Sequence, residues 1–126
     1  MFSNYVQINI GRNVDGMPMS RKAWASFIDE SAAALVYAAT IDNAERRSML
    51  RDDVVEIHTG TGSYGGIRED SAHVSMFHSD GIDADDVRAV MADVAARYGQ
   101  DAVALIVGSE LVKGAALFDG TERTGL

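Results

Sequence analysis

Two short segments of alternating residues, 54–59 and 71–78, flank a Gly-Gly pair at 65–66, and this is the pattern of one β-hairpin. Folding the chain about the two glycines places His58 opposite His73. Because successive side chains of a strand point to opposite faces, this register gathers polar side chains on one face and apolar ones on the other. The sequence therefore predicts a half-buried sheet whose polar face carries two neighbouring histidines.

Four further segments have the periodicity of a strand or a helix. Residues 5–10 alternate strictly, which predicts a first strand, and residues 102–107 form a continuous apolar run, which predicts a buried last strand. Ser20 is a candidate N-cap for a first helix, and Asp83 for a second helix that ends before Gly99. The apolar stripes consist of Trp24, Phe27, Ile28, Ser31 and Leu35 in the first helix and of Val87, Val90, Met91, Val94 and Tyr98 in the second.

The order of these elements is that of a ferredoxin-like βαββαβ fold, an antiparallel sheet with both helices on one face. We expect one α+β domain over residues 1–126, with residues 109–126 as a C-terminal extension that covers the sheet edge or crosses to a second subunit. The weaker pattern of residues 38–53 predicts a short amphipathic helix or an ordered loop. A sheet face that mixes aromatic and polar groups seldom stays bare, so we expect a homo-oligomer, a dimer or higher.

The composition excludes several kinds of partner and site. A net charge of -8 argues against nucleic acid, which is bound through clustered Lys and Arg. The absence of cysteine excludes disulfides, thiolate nucleophiles and cysteine-based zinc sites. No stretch approaches the roughly 20 apolar residues of a membrane helix. We expect no membrane partner, no cofactor and a cytoplasmic location, in the host cytoplasm if the protein is viral.

Candidate ligand-binding residues lie on the polar sheet face and at two turns. Two facing histidines beside a carboxylate suit a metal or proton transfer, but nothing implies a third ligand, so we predict no metal site. The glycine-rich segment 59–66 lacks the helix of a phosphate loop, which favours a flexible hairpin tip that could still close over an anion. At the exit of the first strand, Arg12 could be solvated, or could pair with Asp15 or a phosphate. The candidates are His58, His73, Glu56, Ser75, Gln7 and Asn9 on the sheet, Arg12 and Asn13 at the strand exit, and Tyr64 and Arg68 at the hairpin tip.

Four short motifs in the chain resemble those of known proteins. They are a strand that ends in Gly-Arg-Asn at 11–13, a Ser-x-x-x-Trp-x-x-Phe helix at 20–27, an Arg-Glu-x-Ser strand at 68–71 and a Tyr-Gly-Gln helix exit at 98–100. On these motifs the chain resembles an uncharacterised bacterial domain family, and its overall style resembles small proteins of actinobacterial phages. The family resemblance implies a fold and no activity, and residues 32–53 depart from it.

The sequence favours a non-catalytic protein that binds a small anionic or nucleotide-like ligand. In a phage setting such a protein would sequester a nucleotide-like signal of host defence. The alternative is a small cofactor-free enzyme of the dimeric α+β-barrel type, with His58 and His73 as acid and base. A third interpretation is an inhibitor that contacts a host protein through its acidic helix. Whether the protein is an enzyme is left open by the residues alone.

Overall fold

A computed structural model describes residues 2–41, 55–64 and 66–108 of the chain. In chain order the elements are β1 (Phe2–Gly11), β2 (Asn13–Val14), β3 (Met17–Pro18), α1 (Arg21–Thr40), β4 (Val55–Tyr64), β5 (Ile67–Asp83), α2 (Ala84–Arg97) and β6 (Ala104–Gly108). Four strands form one antiparallel sheet in the order β4-β5-β1-β6, and β2 and β3 form a small separate ribbon. The strand order and the packing of both helices on the sheet confirm the predicted ferredoxin-like α+β fold.

The hairpin of β4 and β5 has the predicted register, with His58 opposite His73. Its strands are longer than predicted, because pairing continues through Tyr64, which lies opposite Ile67. The prediction of a flexible tip at 59–66 is therefore wrong up to residue 64. The glycines do not prevent a strand here, because the hydrogen bonds between paired strands join backbone groups. The β-branched Thr59 and Thr61, which alternate with Gly60 and Gly62, also favour extended backbone.

One face of the sheet is buried beneath the two helices. Apolar residues of β1 and β5 on this face are at most 3% exposed, which confirms the predicted alternation. Phe27 and Leu35 of α1 and Val87 and Met91 of α2 pack against them. The buried sheet residues are Val6, Ile8, Ile10, Ala72, Val74 and Met76. Within the described residues no helix covers the opposite face of the sheet, which we call the open face.

Both helices begin at the predicted caps. The Ser20 hydroxyl accepts a hydrogen bond from the backbone N–H of Ala23 at 3.1 Å, and the Asp83 carboxylate accepts one from the N–H of Asp85 at 3.0 Å. The bond from Asp85 holds the pKa of Asp83 below its ordinary value. Past the end of α2, Gly99 has a φ of +71°, a conformation that favours glycine. Neither described helix is long and apolar enough to cross a lipid bilayer.

The last strand differs from its prediction. The continuous apolar run at 102–107 predicts a buried strand, but among the described strands β6 lies at the end of the sheet, with Ile106 45% and Val107 42% exposed. An apolar run alone does not distinguish a central strand from an end strand, because only tertiary packing decides burial. Residues 38–40 belong to α1, whereas residues 42–54 and 109–126 lie outside the described residues, so the predictions for them stay predictions.

A polar cluster joins α1 to the end of α2. Glu30 accepts hydrogen bonds from Arg97 Nη2 at 2.6 Å and from the Tyr98 hydroxyl. The bond from Arg97, and after it the bond from Tyr98, hold the pKa of Glu30 below its ordinary value of 4.5. The same carboxylate raises the pKa of Tyr98. The cluster therefore stabilises the helix pair only while Glu30 is ionised.

We expect the contribution of Glu30 to disappear in acid. Because the pKa is lowered by folding, the stabilisation is complete above about pH 4.5, the unfolded value, and is lost as the pH falls through the folded value. Glu30→Gln should lower the urea midpoint at about pH 7, and its difference from the original protein should shrink toward about pH 3. The exposed neighbour variant Asp29→Asn controls for the loss of one charge. A Glu30→Gln difference that stays constant across this pH range would contradict the assignment.

Candidate functional site

The open face carries the side chains that the sequence assigned to it. Two cross-strand rows run over β1, β5 and β4 in neighbouring registers. The rows are Gln7, Ser75 and Glu56, and next to them Asn9, His73 and His58. The structure thus places on one surface all the candidates that were predicted for the sheet, and their part in ligand binding stays a prediction.

A chain of hydrogen bonds runs along β1 on the open face. The Tyr5 hydroxyl donates to Gln7 Oε1 at 2.6 Å, and Gln7 Nε2 donates to Asn9 Oδ1 at 2.7 Å. These side chains are half-buried. Because each amide is both donor and acceptor, the first bond sets the orientation of the Gln7 amide and the second that of Asn9. The side chains of Tyr5, Gln7 and Asn9 are therefore oriented by one another, without a ligand.

His58 and His73 are more exposed than the three hydrogen-bonded side chains of β1. His58 Nε2 lies 3.5 Å from Glu56 Oε1, and the two side chains are 71% and 73% exposed, so the pairing is weak in water. Phe77 on the same face is 49% exposed. Among residues 2–41, 55–64 and 66–108, no three His, Cys, Asp or Glu residues lie close enough together to hold a metal ion.

Beyond the histidine row, the open face carries a row of small residues, which we call the small-residue floor. The next row consists of Gly11, Ser71 and Gly60. In the row after it, Glu69 of β5 lies opposite Gly62 of β4, and by alternation its side chain belongs to the open face as well. The Cα atoms of Glu69 and His73 are about 13 Å apart along β5 at the usual rise per residue, and the row of small residues lies between them.

The Glu69 carboxylate is held in a defined position. Its Oε2 accepts a hydrogen bond from the backbone N–H of Asn13 at 2.8 Å, and the residue is half-buried. A Cβ built on Gly11 would lie 2.6 Å from Glu69 Cδ, so a larger residue at position 11 would make the carboxylate move from its present place. One backbone N–H occupies one of the roughly four acceptor positions of a carboxylate, so Glu69 can also bind a donor from a ligand.

Arg12 has protein partners of its own at the strand exit. Its Nη1 lies 2.8 Å from Asp70 Oδ2 and its Nε donates to the Met19 carbonyl at 2.8 Å. The partner is Asp70 and not Asp15, because the backbone N–H of Arg12 pairs with the Asp70 carbonyl and so brings that carboxylate alongside. Arg12 thus stabilises the turn at the end of β1 through these contacts. A role for it in ligand binding stays a prediction.

The other turn candidates lie near Arg12. Asn13 Nδ2 donates to the Arg68 carbonyl at 3.4 Å, and Gln100 Nε2 donates to the Asn13 carbonyl at 3.1 Å. Arg68 is exposed and lines, with Arg12 and Asn13, a hollow of about 270 Å³. The side chain of Tyr64 lies outside the described residues, so its predicted action as a lid stays untested.

Sequence reasoning missed Glu69 and its close approach to Gly11. The predicted alternating segment begins at Ser71, so Glu69 is assigned to no face of the sheet, and Gly11 is predicted to lie in the turn after the first strand. Continuing the β5 alternation by one pair beyond Ser71 would have placed Glu69 on the face of His73. The alternation that places Glu69 on this face is present in the sequence, but the predicted segment 71–78 is shorter than β5.

The fold is similar to that of a phage SAM lyase solved in the apo state. The TM-score is 0.53 at 16% sequence identity, over 82% of this chain and 78% of that chain. A structure of a phage SAM lyase in complex with S-methyl-5′-thioadenosine aligns with a TM-score of 0.46 at 16% identity, over 80% of this chain and 76% of that chain. No family model and no curated protein matches the chain. At this identity the likeness shows a shared fold.

The comparisons correct the predicted function. The prediction of a non-catalytic protein that sequesters a nucleotide-like signal, or inhibits a host protein, is wrong, because a solved structure with a similar fold is that of an enzyme. The resemblance to small phage proteins agrees with the comparison, whereas no family model supports the resemblance to a bacterial domain family. The homo-oligomer and the anionic character of the ligand stay predictions.

Proposed function

We propose that this protein is an enzyme that cleaves a sulfonium nucleoside, S-adenosylmethionine (SAM) or a close analogue, on the open face near Glu69. The observation that carries the proposal is the Glu69 carboxylate, which is hydrogen-bonded to Asn13 and held over Gly11 at the edge of a small-residue floor. The likeness in fold to a phage SAM lyase suggests the substrate and the reaction class. That likeness is one of fold, so the residue roles below come from this chain's own geometry.

Charge supports a cationic ligand over an anionic one. SAM carries a sulfonium, an ammonium and one carboxylate, and so is cationic overall. The chain has a net charge of -8, and both Glu56 and Glu69 lie on the open face. A negative field attracts a cation to this surface and repels an anion. The glycine-rich arm, which first suggested an anion site, is paired as a strand as far as Tyr64.

The open face has a suitable extent for such a ligand. The Glu69 carboxylate lies over Gly11, in the row next to the histidines. Along β5, Glu69, Ser71 and His73 belong to the same face, and the Cα atoms of the first and the last are about 13 Å apart. A nucleoside with an amino-acid chain spans a distance of this order. We place its ammonium group at Glu69 and its flat base against the exposed rings of His58 and His73, since aromatic groups favour stacked contacts.

The chemistry explains why the ammonium, and not the sulfonium, belongs at Glu69. When a carbon–sulfur bond breaks, sulfur keeps the electron pair and becomes a neutral thioether, so its positive charge vanishes. A carboxylate beside sulfur would stabilise the substrate more than the transition state and slow the reaction. The ammonium charge does not change, so binding it at Glu69 orients the substrate without that cost. The carbon regains an electron pair either from the substrate's own carboxylate, which closes a ring, or from a neighbouring C–H bond that loses its proton to a base.

Incubation of the purified protein with SAM should release a thioether. We expect S-methyl-5′-thioadenosine to accumulate with time, measured by chromatography and mass spectrometry, together with one equivalent of a cyclised or unsaturated amino-acid fragment. In ¹⁸O-labelled water, neither product should carry the label at early times, which separates a lyase from a hydrolase. S-adenosylhomocysteine is the matched control, because its neutral sulfur is a poor leaving group. A rate of thioether release no greater than that of heat-inactivated protein would exclude the proposal.

A further inference from the structure

A mostly apolar cleft lies on the helix side of the sheet, on the side opposite the open face. It has a volume of about 460 Å³ and separates α2 from β6. Its floor and walls are formed by Ile8, Val103 and Leu105 of the sheet region and by Val87, Met91, Ala92 and Ala96 of α2. Ala92 and Ala96 on the α2 wall are exposed in the part of the chain that the structure describes.

The strand beside the cleft is at the end of the sheet. In the described residues, β6 pairs with β1 along one edge and ends the strand order. Val107 of β6, which pairs with Val6 and so lies on the helix side, is 42% exposed. An end strand with exposed apolar side chains is a surface that proteins usually cover. The cleft and this strand together form one apolar region that continues toward Gly108, where β6 ends.

The chain itself supplies an occupant of matching chemistry. It runs on from Gly108 to residue 126 and contains one apolar cluster, Ala-Ala-Leu-Phe at 115–118, between charged residues. The intervening residues 109–114 can span up to about 20 Å when extended. Ala104, on the wall of the cleft, lies about 13 Å back along β6 from Gly108 at the usual rise of a strand. The cluster can therefore reach the cleft after one reversal of the chain.

We propose that this cleft is the docking site of the chain's own segment 109–126, with Leu117 and Phe118 as the side chains that enter it. A tether of this length gives the segment an effective concentration in the millimolar range, so a modest intrinsic affinity is enough to keep the cleft filled. Docking covers the apolar wall of α2 and the exposed side chain of Val107. The inference concerns the helix side of the sheet and does not depend on the proposed reaction at the open face.

Cysteine accessibility tests this proposal in the full chain, which has no cysteine of its own. Ala92→Cys places a thiol on the cleft wall, and Ala89→Cys places one at an exposed position of the same helix outside the cleft. With each rate divided by its value in urea, we expect Ala92→Cys to be alkylated at least about tenfold more slowly than Ala89→Cys, as for a segment docked about nine-tenths of the time. Adding Leu117→Asp and Phe118→Asp should restore the rate.

Equal rates at the two positions would overturn the proposal. So would protection of Ala92→Cys that survives the two aspartates or increases with protein concentration, since another molecule would then cover the cleft. A second measurement does not depend on the aspartate variants: Phe118→Cys combined with Ala92→Cys should form a disulfide within one chain at high dilution. The pair of Phe118→Cys and Ala89→Cys should not, and disulfides only between chains would assign the cleft to a second copy.

Discussion

Glu69→Gln should lower kcat/KM for SAM by about 100-fold with little change in melting temperature. Glutamine keeps an oxygen that can accept the hydrogen bond from the Asn13 N–H, so the side chain can stay over Gly11. Glutamine loses the negative charge that attracts the ammonium group of the substrate. A hydrogen bond between charged groups contributes about 1.5–3 kcal/mol, which corresponds to roughly 10- to 150-fold in a rate or binding constant. Steady-state thioether release, with thermal unfolding of the same samples, measures both quantities.

The control for this prediction is Glu56→Gln on the same face. It removes one negative charge from a side chain that is 73% exposed, where solvent screens the charge, so kcat/KM should fall by no more than about threefold. A comparable loss in both variants would mean that the surface attracts the substrate only through its overall field, and would remove the specific role of Glu69. Retained activity in Glu69→Gln would place the ammonium elsewhere on the open face.

The hairpin shows what the sequence could and could not predict about this site. Alternation and the Gly-Gly pair specified the register, because a shift by one residue would turn every apolar side chain of β5 to the wrong face. Strand length was not specified in this way, since residues 60–64 have little apolar pattern to follow. The site near Glu69 lies in that unpatterned part of the hairpin. The sequence analysis therefore does not include Glu69, although it assigns the side chains of the neighbouring rows to the correct face.

Arg12 shows a second limit of the sequence. Arg12 was weighed as an anion-binding residue because a strand exit often carries function, but a residue 58 positions away in sequence, Asp70, already pairs with it. A long-range ion pair has no local signal in the chain. The net charge of -8 needs no knowledge of which side chains meet, and it favours the cationic ligand that we propose.

Phe27→Ala should destabilise the protein by about 3–5 kcal/mol, as is usual for a fully buried Phe. Phe27 is 0% exposed, stacks on Tyr98 with ring centroids 4.8 Å apart, and meets the edge of Trp24 at 6.2 Å. Its removal leaves a cavity where α1 meets the end of α2, and it frees Tyr98, which also binds Glu30. Since domains are stable by only about 5–15 kcal/mol, the variant should be partly unfolded at moderate temperature.

Urea denaturation followed by circular dichroism measures this effect, with Tyr37→Ala as the matched control on the same helix. Tyr37 is 52% exposed, so removing its ring should cost well under the loss at Phe27, about 1 kcal/mol or less. The two variants separate core packing from helix propensity, because both place alanine in α1. Equal urea midpoints would mean that the stack on Tyr98 contributes little. The helix pair would then depend chiefly on the polar contacts of Glu30, and the acid sensitivity expected for that carboxylate should be correspondingly larger.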